Sequence, residues 1–239
     1  MTAPLLELER VSAGYGPFRA LFGVSFTVPE GSAVALLGPN GAGKSTVARV
    51  STGLIPATTG AIRFAGTDVT GMAAWELARL GIAHAPEGRS VFASLTVAEN
   101  LELTFRQVVG KAALAATMGR AYEAFPRLGE RRDQLAGTLS GGEQRMLSLA
   151  KVLASPPRLL VVDELSLGLA PLVIDLVFTT LRTLRDAGTA LLVIEQHVGR
   201  ALALADRVVL LSKGEVIRQG PAAEMADLAS QLIPVPEKR

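Results

Sequence analysis

Residues 38–46 read Gly38-Pro39-Asn40-Gly41-Ala42-Gly43-Lys44-Ser45-Thr46, which matches the pattern G-x-x-x-x-G-K-[ST]. The five residues before it, 33–37, form a continuous apolar run and predict a strand that is buried on both faces. The residues from Ser45 to Thr52 continue as a predicted helix. A strand, a glycine-rich loop and a helix in this order are typical of a phosphate-binding loop. The sequence therefore predicts that the chain binds a nucleoside triphosphate.

The residue types in this loop suit a dense anion. Glycines leave backbone N–H groups free to point at phosphate oxygens, and the helix N-terminus adds a favourable dipole. Lys44 supplies a positive charge for the β- and γ-phosphates, and the Ser45 hydroxyl is a ligand for Mg²⁺. The motif alone does not separate kinases, GTPases and transport ATPases. We predict that the nucleotide is bound by Gly38, Pro39, Asn40, Gly41, Ala42, Gly43, Lys44, Ser45 and Thr46.

The composition narrows the class of protein. The chain has 239 residues, of which 49% are hydrophobic and 19% charged, so it can bury a substantial core. Its net charge of +2 argues against a nucleic-acid-binding surface, and the absence of cysteine excludes thiolate metal sites. We find no signal-peptide pattern and no apolar run near the ~20 residues of a membrane span. Any membrane association is therefore expected to depend on a partner.

A second motif, Leu139-Ser140-Gly141-Gly142-Glu143-Gln144, opens a predicted helix that extends to about Leu153. Ser140 and Glu143 form a capping-box pattern, and the two glycines leave the first-turn N–H groups open. This helix end is a second anion-binding position. One chain needs only one cradle for a terminal phosphate, so the second suggests a nucleotide held by another chain. The alternative is an ordinary capped helix, because S-x-x-E is common.

Two carboxylates follow a short apolar run, Leu159-Leu160-Val161-Val162-Asp163-Glu164. In open α/β sheets, ligands bind beyond the carboxyl ends of the strands. Asp163 is predicted to hold Mg²⁺ through its water shell. Glu164 is predicted to orient and polarise the attacking water as a general base.

Predicted strands lie at both ends of the chain and helices lie between them, which favours one α/β core with a helical insertion. Together the motifs resemble the ATP-binding subunits of ABC transporters. The resemblance implies a P-loop NTPase (RecA-like) core with an antiparallel β subdomain and an inserted helical subdomain. It implies one domain over residues 1–239, with the core in 1–87 and 155–239 and the helical signature subdomain in 88–154. It also implies that ATP and Mg²⁺ are bound.

Further site residues follow only from this resemblance. Tyr15 matches the aromatic residue that stacks on adenine, the alternative being a tyrosine of the core or of a turn. Glu87 stands where the family usually has a glutamine that senses Mg²⁺. Gln196 and His197 both compete for the place of the histidine that contacts the γ-phosphate. Adjacent strand residues face opposite sides, so only one of the two points inward, and Gln196 is favoured. Leu169 stands where many relatives have aspartate.

The run Pro86-Glu87-Gly88-Arg89, Val91-Phe92, Leu95-Thr96-Val97 and Glu99-Asn100-Leu101 is similar to one subgroup, the shorter ATPase subunit of branched-chain amino acid importers. This resemblance implies an ATPase that powers uptake of branched-chain, hydrophobic amino acids. The alternatives are an importer of urea, another amide or another amino acid, and a soluble ABC ATPase without a transport role. The soluble relatives carry coiled-coil insertions or two ATPase cores, which this chain lacks.

The same resemblance implies a set of partners. The chain is expected to form a homodimer or heterodimer with a related ATPase subunit, in which the signature residues of one subunit bind the ATP of the other. Two integral membrane permease subunits are expected to dock near Glu87 to Phe92, with Arg89, Val91 and Phe92 as contacts. A solute-binding protein acts indirectly, and no nucleic acid is bound. The expected location is peripheral, on the cytoplasmic face of the cell membrane.

Overall fold

A computed structural model of the chain describes residues 4–86, 91–152, 156–166, 169–195, 198–225 and 227. The chain divides into two compact units. The first comprises Met1–His84, Arg158–Glu164 and Arg182–Arg239, and the second comprises Ala85–Pro157 and Leu165–Leu181.

Ten strands are present in the described residues: β1 (Pro4–Tyr15), β2 (Phe18–Pro29), β3 (Ala33–Leu37), β4 (Thr59–Phe64), β5 (Thr67–Asp68), β6 (Ile82–Ala85), β7 (Leu159–Asp163), β8 (Ala190–Ile194), β9 (Arg207–Ser212) and β10 (Glu215–Pro221). Seven α-helices lie in the same described ranges: α1 (Lys44–Ser51), α2 (Ala74–Arg79), α3 (Val97–Ala124), α4 (Pro126–Glu130), α5 (Gly141–Val152), α6 (Pro171–Asp186) and α7 (Val198–Leu204).

The strand β3 lies inside a six-stranded sheet of order β10-β9-β3-β8-β7-β6 and pairs in parallel with β8 and β9. All five of its residues are buried. Val34 and Leu36 join one hydrophobic cluster, whereas Ala35 and Leu37 join another that includes residues of β9 and α7. Alternate residues of a strand face opposite sides of a sheet. The predicted strand, buried on both faces, is therefore confirmed.

The smaller sheet is antiparallel, with the order β2-β1-β4-β5. Its inward side chains, such as Leu6, Leu8 and Phe26, belong to the same hydrophobic cluster as Val34 and Leu36. The two sheets thus share one core in the first unit. This arrangement confirms the predicted α/β class with an antiparallel β portion.

The second unit is mainly helical, and α3 is its longest element. The pattern Thr96-Val97-Ala98-Glu99 predicts a capping box that opens a helix through Phe105. Thr96 accepts a hydrogen bond from the Glu99 amide while the Glu99 carboxylate accepts one from the Thr96 amide, which confirms the capping box. The helix runs well past the predicted end at Phe105, as far as Ala124. Gly110 interrupts it with φ 70° and ψ 179°, so the element is two helices joined at a kink. Throughout the described parts of the chain, every helix is too short or too polar to cross a bilayer.

Asn100 fastens the segment before α3 to the helix. Its side chain is fully buried. Its Oδ1 accepts from the Phe92 amide at 2.9 Å, and its Nδ2 donates to the carbonyls of Phe92, Leu95 and Thr96 at 2.9, 3.3 and 2.9 Å. The Phe92 amide thus gains an acceptor, and the three carbonyls, which also accept from backbone amides, each gain a second donor.

His84 is a partly buried histidine in β6. Its Nε2 is buried and has no hydrogen-bond partner among the described residues. Burial, helped by the positive charge of Arg49, lowers the pKa of His84 to about 4. The imidazole is therefore neutral in the folded protein at neutral pH.

We expect Asn100→Ala to destabilise the helical unit by about 2–4 kcal/mol, because the Phe92 amide loses its acceptor and the fully buried Asn100 side chain is replaced by a smaller one. Urea unfolding followed by circular dichroism would measure the loss. Gln107→Ala is the matched control, because Gln107 is an exposed residue of the same helix. Equal stability of the two variants would contradict the assigned role of Asn100.

We expect His84 to make the fold sensitive to acid. The pKa of His84 in the folded protein lies below its ordinary value, so the unfolded chain takes up the proton first as the pH falls. The contribution is complete above about pH 6.5 and is lost between about pH 6.5 and 4, with a total of about 3 kcal/mol. Urea unfolding of the parent and of His84→Gln at pH 7, 5.5 and 4.5 checks this. The variant should lose less stability on acidification, and parallel losses would refute the assignment.

Candidate functional site

The loop between β3 and α1 can take its shape only with glycine at two positions. A Cβ on Gly38 would lie 2.2 Å from the carbonyl oxygen of Leu211. Gly43 has φ 101°, and a Cβ there would lie 2.9 Å from the Leu21 side chain and 3.0 Å from the Ala20 carbonyl oxygen. Real Cβ atoms do not approach so closely, so the motif's glycines at 38 and 43 are required by packing as well as by conformation.

Gly43 also forms the N-cap of α1. The N-cap has no side-chain hydrogen bond, and no acidic residue lies in the first turn. The positive end of the helix dipole therefore faces the loop without an acidic residue of the helix's own first turn to neutralise it. This local structure suits a phosphate group, as the motif predicts.

Lys44 is buried in the loop. Its Nζ donates to the carbonyl oxygens of Gly38 and Pro39 at 3.0 and 3.2 Å. It also lies 3.7 Å from Oε1 of Glu164, and both side chains are at most one-tenth exposed. A charge removed from water in this way must be paired to be tolerated. The geometry thus places the predicted phosphate-binding cation and the predicted general base side by side.

Ser45 and Asp163 form the second pair of the site. The Ser45 hydroxyl donates to Oδ1 of Asp163 at 3.2 Å, which joins the first turn of α1 to the end of β7. Mg²⁺ prefers oxygen ligands, keeps several waters, and uses one or two protein oxygens together with substrate phosphates. Across the described ranges, no three His, Cys, Asp or Glu side chains cluster as a complete metal cage. The two oxygens therefore fit Mg²⁺ that arrives with a nucleotide.

Glu164 has an unusual backbone conformation. It follows the last residue of β7, its amide donates to the Ile194 carbonyl at 2.9 Å, and its φ is 48°. A non-glycine residue in the left-handed region costs about 1–3 kcal/mol, and such strain is concentrated at functional sites. The conformation turns the residue out of the strand direction, and the carboxylate lies near Lys44.

Tyr15 lies at the end of β1, opposite Phe18 across the hairpin. Its ring is partly exposed, and its hydroxyl accepts a hydrogen bond from Nη1 of Arg49 at 3.0 Å. Arg49 belongs to α1, the helix that begins at Lys44. Tyr15 is therefore a surface residue beside the phosphate-binding helix and not a core tyrosine.

The second motif forms the predicted capping box. The Ser140 amide and hydroxyl donate to Oε2 of Glu143 at 2.9 and 2.8 Å, and the Glu143 amide donates back to the hydroxyl at 3.3 Å. Arg131 Nε lies 2.8 Å from the other carboxylate oxygen. Burial raises the pKa of Glu143, but the Ser140 hydrogen bonds and the charges of Arg131 and Arg127 outweigh it and hold the pKa below its ordinary value.

The other residues of this motif are held by packing. Gln144 is buried, and its Nε2 donates to the Ala136 carbonyl at 2.7 Å, which fixes the loop before α5. Leu139 is buried. A Cβ on Gly142 would touch Leu169 at 3.3 Å, whereas a Cβ on Gly141 would meet none of the described residues within 4 Å.

Three predicted site residues, Glu87, Gln196 and His197, lie outside the described residues. Their assignments remain predictions. Conversely, the structure adds two residues that the motifs do not identify, Arg49 beside Tyr15 and Arg131 beside Glu143. Arg49 lies five residues after Lys44, one helical turn and a half further along α1, but no sequence pattern indicates that it reaches a tyrosine in another element.

Known proteins resemble this chain over nearly its whole length. The ABC transporter family model matches residues 21–166. The high-affinity branched-chain amino acid transport ATP-binding protein BraG of Pseudomonas aeruginosa is 42% identical over 92% of this chain and 94% of its own. The probable branched-chain amino acid transport ATP-binding protein LivF of Archaeoglobus fulgidus is 35% identical, with 93% of this chain and 94% of LivF covered.

Solved structures agree with these relatives. An ATP-binding subunit of an ABC transporter superposes with a TM-score of 0.82 at 28% identity, with 97% of this chain and 95% of that chain covered. The ADP conformation of MJ1267, an ATP-binding cassette of an ABC transporter, gives a TM-score of 0.80 at 28% identity and covers 97% of both chains. These matches confirm the predicted P-loop NTPase core and ATPase activity. The chain belongs to the ATP-binding proteins of the ABC transporter family.

Proposed function

We propose that this chain is the ATP-hydrolysing subunit of an ABC importer that takes up branched-chain amino acids. The observation that carries the substrate class is the 42% identity to BraG over 92% of the chain. The resemblance of the run from Pro86 to Leu101 to the same subgroup supports it. The geometry around Lys44 supports the chemistry, because a buried cation, a hydroxyl and two carboxylates meet there.

The chemistry follows from these groups. The amides of residues 41–46 and the ammonium group of Lys44 bind and orient the phosphates of ATP. Ser45 and Asp163 would hold Mg²⁺, which supplies positive charge to the phosphates when it is bound. Glu164 orients the attacking water and accepts its proton as general base. Tyr15 stacks on the adenine ring.

We infer that the second motif acts on the nucleotide of a partner subunit. Packing inside the chain does not explain the glycine at 141, because a Cβ there would meet no described atom within 4 Å. A close approach by another chain would explain it. The Ser140 hydroxyl and the amides of α5 then face a phosphate in trans. ATP joins two subunits in this way, and its hydrolysis separates them.

The proposed membrane partners are two permease subunits that dock beside residues 87–92. Phe92 supports this surface, because its ring is half-exposed while its backbone is held on both sides by Asn100. Lys151 Nζ lies 5.0 Å from the ring centroid. A rigidly held, exposed aromatic residue is a suitable anchor for an interface. Arg89 lies outside the described residues, and its role as a contact remains a prediction. The chain would then act at the cytoplasmic face of the membrane.

Glu164→Gln tests the chemistry. We expect the turnover number to fall by about 10²–10⁴-fold, because the general base is lost, while the dissociation constant for MgATP changes less than about threefold. Steady-state phosphate release and calorimetry would measure the two quantities. Glu30→Gln is the control, because Glu30 pairs only with exposed Arg158 in the described structure. Undiminished hydrolysis in Glu164→Gln would remove Glu164 from the role of base.

The same variant tests the dimer. Since hydrolysis no longer removes the γ-phosphate, MgATP should convert Glu164→Gln protein from monomer to dimer, alone or with its related ATPase chain, as light scattering would report. Glu164→Gln combined with Ser140→Arg should stay monomeric, because the bulky cation blocks the trans contact. If Glu164→Gln protein stays monomeric with MgATP, both alone and with its related ATPase chain, the nucleotide is not shared between two subunits.

Transport assays test the substrate class. We expect deletion of the gene to abolish high-affinity uptake of labelled leucine, isoleucine and valine, and the intact gene to restore it. The Lys44→Ala form should not restore uptake, because the phosphates lose their cation. Uptake of labelled urea and of glutamine distinguishes the alternative importers. Normal leucine uptake in the deletion strain, together with lost urea uptake, would overturn the amino acid assignment.

A further inference from the structure

The end of the first hairpin holds Tyr15 in a fixed position. Tyr15 pairs with Phe18 and Gly14 pairs with Arg19. A Cβ on Gly14 would lie 2.1 Å from the Phe18 carbonyl oxygen, so the two strands approach at this point more closely than any side chain permits. Gly16, with φ 56°, then turns the chain. The backbone of Tyr15 is thus defined by the hairpin, but the direction of its ring is not.

Arg49 contacts the hydroxyl end of the Tyr15 ring. Its Nη1 donates to the Tyr15 hydroxyl at 3.0 Å, and its Cζ lies 5.8 Å from the ring centroid. The guanidinium therefore holds the hydroxyl by a hydrogen bond and lies over the ring near the outer limit of a cation–π distance. This contact restrains the ring.

The charge of Arg49 has no competing carboxylate partner in the described residues, since no Asp or Glu oxygen there lies within 4 Å of it. Its backbone is also well anchored. The Arg49 carbonyl accepts from the amides of Leu54 and Ile55 at 2.9 and 3.3 Å, at the end of α1. The other titratable group that it influences is His84, which is neutral at physiological pH. The phenol oxygen of Tyr15 is thus the group that Arg49 holds.

We propose that Arg49 is a positioning residue that holds the Tyr15 ring ready to stack on the nucleotide base. Through it, the helix that binds the phosphates with Lys44 also sets the position of the base-binding ring. The helix α1, which carries both Lys44 and Arg49, then fixes the distance between the phosphate site and the base site. The inference rests on the proposed function, because it assumes that Tyr15 stacks on the base.

Dissociation constants for MgATP and for magnesium tripolyphosphate, which has no base, test the proposal. We expect Arg49→Ala and Tyr15→Phe each to weaken MgATP binding by about three- to tenfold, the range for one hydrogen bond. The double variant should be no weaker than either single variant, because both remove the same contact. Tripolyphosphate binding should stay unchanged in all three, and Arg49→Lys should restore part of the affinity for MgATP.

Arg79→Ala is the matched control. Arg79 also lies beside an aromatic ring in the same unit, with its Cζ 4.9 Å from the centroid of Trp75, and it belongs to α2 outside the site. We expect it to leave both dissociation constants unchanged. Additive losses in the double variant, or a loss of tripolyphosphate affinity in Arg49→Ala, would overturn the proposal by showing that Arg49 contacts the nucleotide itself.

Tyr15→Ala distinguishes a failure of the Arg49 proposal from a failure of the proposed stacking of Tyr15 on the base. If Tyr15→Ala binds MgATP as tightly as the parent, Tyr15 does not stack on the base, and that part of the proposed function fails together with this inference. If Tyr15→Ala weakens MgATP binding while Arg49→Ala does not, the stacking stands and only the role of Arg49 fails.

Discussion

The main chain of the phosphate-binding loop lies directly against the main chain of the strand beside it. No side chain fits between Gly38 and the carbonyl of Leu211, and none fits between Gly214 and the carbonyl of Ala20, where a Cβ would lie at 2.3 Å. The Gly214 amide donates to the Ala42 carbonyl at 2.9 Å, and the Gly214 carbonyl accepts from Phe22 at 2.8 Å. Strands of both sheets thus hold the loop through backbone contacts, which do not depend on rotamers. The position of every phosphate-binding group follows from this packing.

The charged groups of the site depend on that rigidity. Lys44, Asp163 and Glu164 are all buried, and removing such groups from water is costly unless they are paired. A protein selected for stability alone would place apolar residues there. Their presence at the carboxyl ends of parallel strands, where α/β proteins bind ligands, is what the proposed binding and hydrolysis of ATP would require. The neighbouring core, in contrast, is apolar on both faces of β3.

The sequence predicts the buried parallel strands most accurately. The continuous apolar runs 33–37 and 190–194 both predict buried strands, and they coincide with β3 and β8. Strands without an exposed face are apolar throughout and therefore have clear ends. The length of α3 is underestimated, because Gly110 interrupts its pattern. No helix is predicted for α6, because most of its residues belong to an apolar zone, Leu159 to Leu181, that acidic residues such as Asp175 interrupt. Helices that pack on their neighbours depend more on tertiary context than on local pattern.

In the site, too, some residues can be predicted from the sequence and others cannot. Short motifs identify Lys44, Ser45, Asp163, Glu164 and the capping box, since the chemistry demands those residue types at fixed spacing. No motif identifies Arg49 or Arg131. Arginine is a common residue, and these two meet Tyr15 and Glu143 only once the chain has folded. The functions assigned to Glu87, Gln196 and His197 remain predictions from the family resemblance.

The left-handed backbone at Glu164 has an evolutionary consequence. Glycine or asparagine would relax this conformation, but either would also remove the carboxylate beside the buried Lys44 ammonium, so the gain and the loss in stability oppose each other. Neither side chain can accept a proton from water. Under the proposed general-base role, relief of backbone strain at this position would therefore be accompanied by the loss of ATP hydrolysis. Descendants of this protein that carry glycine at 164 would be expected to persist as binding partners that do not hydrolyse ATP.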